Sequence, residues 1–353
     1  MVRCRAALPM HTPAASSPAP PLREDGSVDP AVDRACADVL SDELAVALYE
    51  HMVLARAVDE RLVALQREGA IASHASAAGQ EALIVGAAAA MQDADWIFPS
   101  SREFAAALWR GMPLVAYAHH AFGTRGDAAH GQSAPDPPFW RAARVASASP
   151  LVGTQIPHAV GVAWAARIQK ADVAALVFFG EGATSSNDFH TGLNFAGVTR
   201  APVVAVCRND GWATSTPSSR QTASAGFAIK ALAYGLHGAR VDGGDVVAVL
   251  RVVREARARA VAGEGGTLVE AMVSRQDPSE KADTDPVART RRHLEGRGLW
   301  DPAREERLSG EVRADLDRAV AGAMAEEKPS RDALFDHVYA ELPWHLQEQR
   351  GSR

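Results

Sequence analysis

Two short apolar runs set the terms for this chain. Val173–Phe179 (VAALVFF) and Val203–Val206 (VVAV) are β-branched and bounded by turn residues, the pattern of buried strands. Between them lie Gly180, Glu181 and Gly182, then Ala183-Thr184-Ser185-Ser186, then a helix-length stretch from about Asp188 to Gly197. Strand, helix and strand in that order close as a parallel pair, so the chain is an α/β protein. The topology also puts the end of each strand at one sheet edge, where ligands of parallel sheets bind. Glu181 and Asp210 stand 29 positions apart yet meet at that edge.

The residue types there fit one chemistry. Small and hydroxyl residues feeding a helix N-terminus leave backbone N–H groups for an anion. Two hard oxygen ligands beside them suit Mg²⁺ holding a diphosphate. Arg208 adds a permanent cation for the same phosphates. Glu181 alone is indistinguishable from a solvated loop carboxylate; the combination of acid, helix start, arginine and second acid carries the reading.

Gly-Glu-Gly followed after roughly thirty residues by Asn209-Asp210 resembles the thiamine diphosphate motif. With its flanks, the stretch is similar to the alpha subunit of the decarboxylating component of 2-oxo acid dehydrogenase complexes. The likeness is nearest to the branched-chain (3-methyl-2-oxobutanoate) members, which also write Gly-Glu-Gly. It covers about residues 40 to 275, and a piece from Asp301 onward more loosely. The resemblance implies a thiamine diphosphate-binding fold: a parallel, doubly wound sheet flanked by helices, with helical N- and C-terminal extensions. It implies Mg²⁺ held by Glu181, Asp210 and the backbone carbonyl of Trp212. Coenzyme contacts carry over to Arg102, Gly180, Gly182, Ala183, Ser185 and Arg208, with backbone groups of Leu151, Val152 and Gly153 on the aminopyrimidine ring. Thr154 and Gln155 match positions that help hold a structural K⁺ in branched-chain members. The implied reaction is decarboxylation of a 2-oxo acid, with the acyl group passing to a lipoyl domain of an acyltransferase core. A separate beta subunit, in a heterotetramer of two alpha and two beta chains, would supply the glutamate that activates the coenzyme. No catalytic residue carries over to this chain itself.

Three departures from the family pattern stand out. Ser101 replaces the usual aromatic residue before Arg102, and Asp210 replaces asparagine at a metal position. After Ser274-Arg275 the chain runs directly into Gln276-Asp277-Pro278-Ser279-Glu280-Lys281, where the family has a longer histidine-bearing loop; no histidine occurs between His237 and His293. His293 lies in a charged helical stretch and is expected at the surface. The shortened loop keeps two alternatives open: a diverged thiamine diphosphate enzyme of pyruvate or acetoin dehydrogenase type, and a non-catalytic paralogue.

The rest of the chain frames this centre. A net charge of −6 from 37 basic and 43 acidic residues gives no footprint for nucleic acid. No apolar run approaches the ~20 residues of a membrane span. Cys4, Cys36 and Cys207 form neither a disulfide framework nor a zinc pattern, and Cys207 reads as a buried thiol in a reducing compartment. Residues 1–27 are rich in Pro, Ala and Ser and read as a disordered tail on a bacterial cytoplasmic protein, their prolines opposing a mitochondrial transit helix. Residues 28–353 read as one domain with a helical extension from about 301. Ser41 caps a helix reaching toward Gly69 in which nothing is expected to be catalytic; His74 reads as an ordinary polar histidine. A further amphipathic helix is expected over Asp245–Gly263, a strand over Thr267–Val273, and charged helix over 302–342.

Overall fold

The computed structural model describes residues 40–133, 138–147, 149–274, 285–336 and 338–352. The N-terminal tail, part of the Pro-rich segment near 135, and the shortened loop at 275–281 lie outside the described residues. Five parallel strands form the central sheet: β1 (Trp96–Phe98), β2 (Ala175–Gly180), β3 (Val203–Asn209), β4 (His237–Asp242) and β5 (Thr267–Met272). Their spatial order is β1-β2-β3-β5-β4. β2 and β3 are buried on both faces, which is why they read as continuous apolar runs rather than alternating ones.

Helices cover both faces. The larger core gathers α1 (Asp42–Arg67), α2 (Glu81–Ala89), α3 (Phe104–Trp109) and α4 (Leu114–Phe122) against one side of the sheet. On the other side, α5 (Gln155–Ile168) and α6 (Asn187–Thr199) pack with Val177, Phe179, Ala205 and Cys207. α7 (Val246–Arg259), capped by Asp245, returns to the first side, followed by α8 (Pro286–Gly296), α9 (Pro302–Ala325) and α10 (Trp344–Gly351). The doubly wound expectation holds. Among the described residues no helix is long and apolar enough to cross a membrane.

Local signals explain the boundaries. The Ser41 hydroxyl accepts a hydrogen bond from Leu44 N, with Asp42 and Glu43 in the first turn complementing the helix dipole. Ser186 caps α6 through Phe189 N. Two expectations need correction. His293 is buried, because Pro286, Arg289, Thr290, His293 and Leu294 form the inward stripe of α8. The C-terminal helix stops at Ala325 rather than near 342, and a separate helix begins at Trp344 behind Pro343. Pro329 follows that stop and lies so near Gly131 that a Cβ there would come 2.8 Å from Gly123 O and closer still to the proline ring.

Candidate active site

The register of β2 on β3 pairs Gly180 with Arg208, so the chain leaves both strands side by side. One residue past that pair, Glu181 opens a 3₁₀ turn (Glu181–Ser185) and is buried. Gly182 is required by a close approach: a Cβ there would sit 2.8 Å from the Ala213 Cβ. Ala183 is buried and its carbonyl accepts from Ser186 Oγ at 2.8 Å, while Ser185 is exposed at the rim. The turn therefore delivers Glu181 inward and presents the start of α6 outward.

The second tip is built from Asn209, Asp210, Gly211 and Trp212. Asn209 Oδ1 accepts from Gly211 N at 2.9 Å, and Asp210 Oδ1 accepts from Trp212 N at 3.1 Å. Gly211 takes a positive φ of 87°, which its lack of a side chain permits. Trp212-Ala213 then pairs with Thr216-Pro217 in a small antiparallel hairpin that folds back over Gly182, and Trp212 is half exposed. The two predicted acids thus occupy the tips of neighbouring strands.

The arginines are more engaged than the sequence shows. Arg208 forms a buried ion pair with Glu103, whose Oε2 also accepts from Ser100 N at 2.6 Å and Ser100 Oγ at 2.7 Å. A guanidinium has five N–H donors, so this pairing fixes Arg208 without exhausting it. Arg102, on the same loop after β1, donates to the Ser76 carbonyl. That carbonyl belongs to a segment pinned by Asp59, which accepts from His74 Nε2 at 2.8 Å, Ser76 Oγ at 2.7 Å and Ala77 N at 2.8 Å. Burial works to raise the Asp59 carboxyl, but these hydrogen bonds together hold it below the usual carboxylate range. Asp59 comes from the buried face of α1, a helix in which nothing is expected to be catalytic; His74, which the sequence leaves open between an ordinary polar histidine and one facing a substrate, is buried and bonded to Asp59. Asp59 carries no local sequence signal, since its partners lie 15 to 18 positions away; Glu103 does close a Ser-x-x-Glu pattern on Ser100, but that pattern says nothing of its pairing with Arg208.

Leu151 and Val152 project into solvent, and Gly153 takes a φ of 93° where a Cβ would collide with Ser186 Oγ. This loop therefore abuts the start of α6. Thr154 Oγ1 donates to Leu151 O at 3.0 Å, and Gln155 Nε2 to Phe178 O at 2.9 Å. Cys207, fully buried below the edge, has its thiol pushed well up by burial, with the charges of Glu270 and Glu181 adding to the effect; it is a packed apolar group.

Do these residues fit a cation and a diphosphate? Among the described residues no cluster of three or more His, Cys, Asp or Glu side chains could hold a metal. A cation at this edge would meet two carboxylates and a backbone carbonyl at most, leaving other positions to phosphate oxygens and water, which is how Mg²⁺ is ordinarily held. Thr184 Oγ1, Ser218 Oγ and Gln221 Oε1 are buried without hydrogen bonds, and the short helix Ser218–Gln221 packs on the Glu181–Ser185 turn. Unpaired buried oxygens beside hard carboxylates fit an ion with its water shell.

Relatives of this chain bear on the same edge. The dehydrogenase E1 component family matches residues 49–332. The 2-oxoisovalerate dehydrogenase subunit alpha 2, mitochondrial, of Arabidopsis thaliana is 35% identical over 327 residues, covering 88% of this chain and 69% of that protein. The 3-methyl-2-oxobutanoate dehydrogenase subunit alpha of Mycobacterium tuberculosis is 40% identical over 322 residues, 86% of this chain and 84% of that protein. The pyruvate dehydrogenase E1 component subunit alpha of Staphylococcus aureus is 35% identical over 346 residues, 93% of this chain and 90% of that protein. With the strand-tip acids in place and the match spanning most of the chain, this protein belongs to the dehydrogenase E1 component family.

Proposed function

We propose that this chain is the alpha subunit of a thiamine diphosphate-dependent 2-oxo acid dehydrogenase, acting on branched-chain 2-oxo acids such as 3-methyl-2-oxobutanoate. One observation carries the proposal: the Gly180–Arg208 register sets Glu181 and Asp210 on neighbouring tips at the ligand-binding edge. The names of the Arabidopsis and mycobacterial relatives support the branched-chain class. Thiamine diphosphate, when bound, supplies the electron sink for decarboxylation next to a carbonyl.

This chain's own residues bind and orient. Glu181, Asp210 and the Trp212 carbonyl hold Mg²⁺; Arg102 and Arg208 offset phosphate charge; the Gly182–Ser185 turn and the start of α6 offer backbone N–H groups. The backbone of Leu151–Gly153 borders the aminopyrimidine. A K⁺ ion on the Thr154 hydroxyl oxygen and the Gln155 amide oxygen belongs to the same proposal, since both residues spend hydrogens on backbone carbonyls and retain oxygen lone pairs. A beta subunit completes the site, and a lipoyl domain of an acyltransferase core takes the acyl group, in a bacterial cytoplasm.

The test is turnover of 3-methyl-2-oxobutanoate and of pyruvate by the chain co-expressed with its beta partner, using an artificial electron acceptor. Preference for the branched substrate, lost together with metal-dependent coenzyme binding in Glu181→Ala, is expected. Preference for pyruvate moves the assignment to the reading that the staphylococcal relative represents. No turnover of either, with coenzyme bound, leaves a non-catalytic paralogue.

A further inference from the structure

Glu270 sits in the middle of β5, opposite Cys207, and is almost fully buried. Burying a carboxylate in a sheet core is costly unless hydrogen bonds take over from water. Here they do: Oε1 accepts from Asn209 Nδ2 at 2.8 Å, and Oε2 accepts from Phe227 N at 3.0 Å and Ala228 N at 3.1 Å. Among the described residues no cation pairs with it. Gly226 keeps the approach open, since a Cβ there would come 2.8 Å from Oε2. An apolar side chain at this position would extend the core; the carboxylate instead reaches the loop at the tip of β3.

We infer that Glu270 and Asn209 form a positioning pair that sets the geometry of the Asp210–Trp212 ligand loop. The inference rests on the reading of this edge as a cation–diphosphate site. An ionised carboxylate only accepts, so Glu270 dictates which way the Asn209 amide faces: Nδ2 toward Glu270, Oδ1 toward Gly211 N at 2.9 Å. That second bond fixes the left-handed Gly211, and with it the turn in which Asp210 Oδ1 takes Trp212 N. Both proposed ligands supplied by this loop, the Asp210 carboxylate and the Trp212 carbonyl, hang from the anchored Asn209–Gly211 link. The same carboxylate ties the 226–228 backbone to the sheet, so the two segments move together or not at all.

The hydrogen-bond directions make the test specific. In Glu270→Gln the new amide oxygen stays on the Phe227 and Ala228 N–H groups, which turns its NH₂ onto the Asn209 NH₂. Turning Asn209 over merely transfers the clash to Gly211 N–H. In Asn209→Asp two carboxylates face each other. In the double variant Asn209→Asp with Glu270→Gln, every bond is satisfied again with one donor reversed. The full chain with its beta partner is titrated by calorimetry with thiamine diphosphate in MgCl₂, and with Mg²⁺ alone, alongside thermal melting. Each single variant is expected to weaken binding by roughly 10- to 100-fold, as outer partners of metal ligands do, and the double variant to restore it to within about threefold of wild type. A purely structural role would lower melting temperature without this rescue of affinity. Wild-type affinity in Glu270→Gln, or a double variant no better than the singles, overturns the inference. If Glu270→Gln does not fold, Asn209→Ala removes the link from the β3 side, and unchanged affinity there overturns it equally. A wild-type assembly that binds neither Mg²⁺ nor coenzyme refutes the underlying site assignment, a failure visible before any variant is made.

Discussion

Substituting Gly182 and Gly180 separates steric from conformational roles at the site. Neither glycine sits in the left-handed region, and Gly180 has φ −78° and ψ 160°, open to any residue. At Gly182 an alanine Cβ would lie 2.8 Å from the Ala213 Cβ. Carbon pairs rest at about 3.5–4.0 Å, so the hairpin carrying Trp212 must give way by about 0.7–1.2 Å. Overpacking of this kind costs about 1–3 kcal/mol. At Gly180 the new Cβ meets only Arg208 Nη2, at an ordinary 3.6 Å. There, restriction of the unfolded chain stabilises by about 0.4–1 kcal/mol. The same restriction of the unfolded chain applies at Gly182, so the two single-methyl variants should differ by the overpacking cost alone, about 1–3 kcal/mol, with Gly182→Ala the less stable. Urea denaturation with matched m-values measures the gap, and calorimetry with Mg²⁺ and thiamine diphosphate should show Gly182→Ala weakened, because the displaced hairpin takes the Trp212 carbonyl with it. Coincident midpoints for the two variants would refute the packing argument, and full affinity in Gly182→Ala would refute the role of the hairpin.

Asp210→Asn should preserve or improve coenzyme affinity, since it keeps an oxygen ligand and removes a negative charge beside the diphosphate; calorimetry showing a large loss would give the aspartate a role beyond metal binding. Asp59 has its carboxyl held below its ordinary range in the fold, so its contribution to stability is complete above the unfolded value near 3.8 and is lost as pH falls through the lower folded value. Asp59→Asn should accordingly flatten the decline in melting temperature below about pH 4 while lowering stability at neutral pH. Arg257 bonds the fully buried Asp95 at 2.9 and 3.2 Å; Arg257→Met leaves that carboxylate without its cation and should cost about 3–5 kcal/mol in denaturant titration.

The sheet was legible in the sequence because β2 and β3 are buried on both faces and leave unbroken apolar runs between turn residues. The edge chemistry was legible because its residues cluster just after those runs. What escaped notice shares one cause: a single acid inside an apolar pattern looks like noise until its partner is known. Glu270 lies 61 positions from Asn209, and Glu103 lies 105 from Arg208. Asp59 bonds His74 across 15 positions, close in sequence but from a helix face into a loop whose path no periodicity reports. His293 is different. Pro286, Arg289, Thr290, His293 and Leu294 recur at helical spacing, and the charged residues among them concealed a stripe that buries its charge on Asp242 and Asp245 through Arg289.

If the edge takes a cation and a diphosphate as proposed, the charges gathered there make each ligand depend on the other. Glu103, Glu181 and Asp210 follow the ends of β1, β2 and β3, and Glu270 lies within β5 beside Asn209, against the guanidiniums of Arg102 and Arg208. Arg208 is already shared with Glu103, so acidic charge is in excess among these six side chains. Glu103 and Glu270 cannot be the groups that accept a metal without giving up bonds to Arg208, Ser100, Asn209 and the 227–228 backbone. Their charge is spent holding the neighbours of the ligands in place. On the proposed reading a divalent ion would sit with Glu181 and Asp210, and charge neutralised there is felt strongly because Glu181 is screened from water. On that reading the ion would screen the diphosphate from these acids, and the diphosphate would offer the ion oxygen ligands. The proposed site therefore predicts that each ligand binds more tightly with the other present, which calorimetry of Mg²⁺ with and without thiamine diphosphate measures.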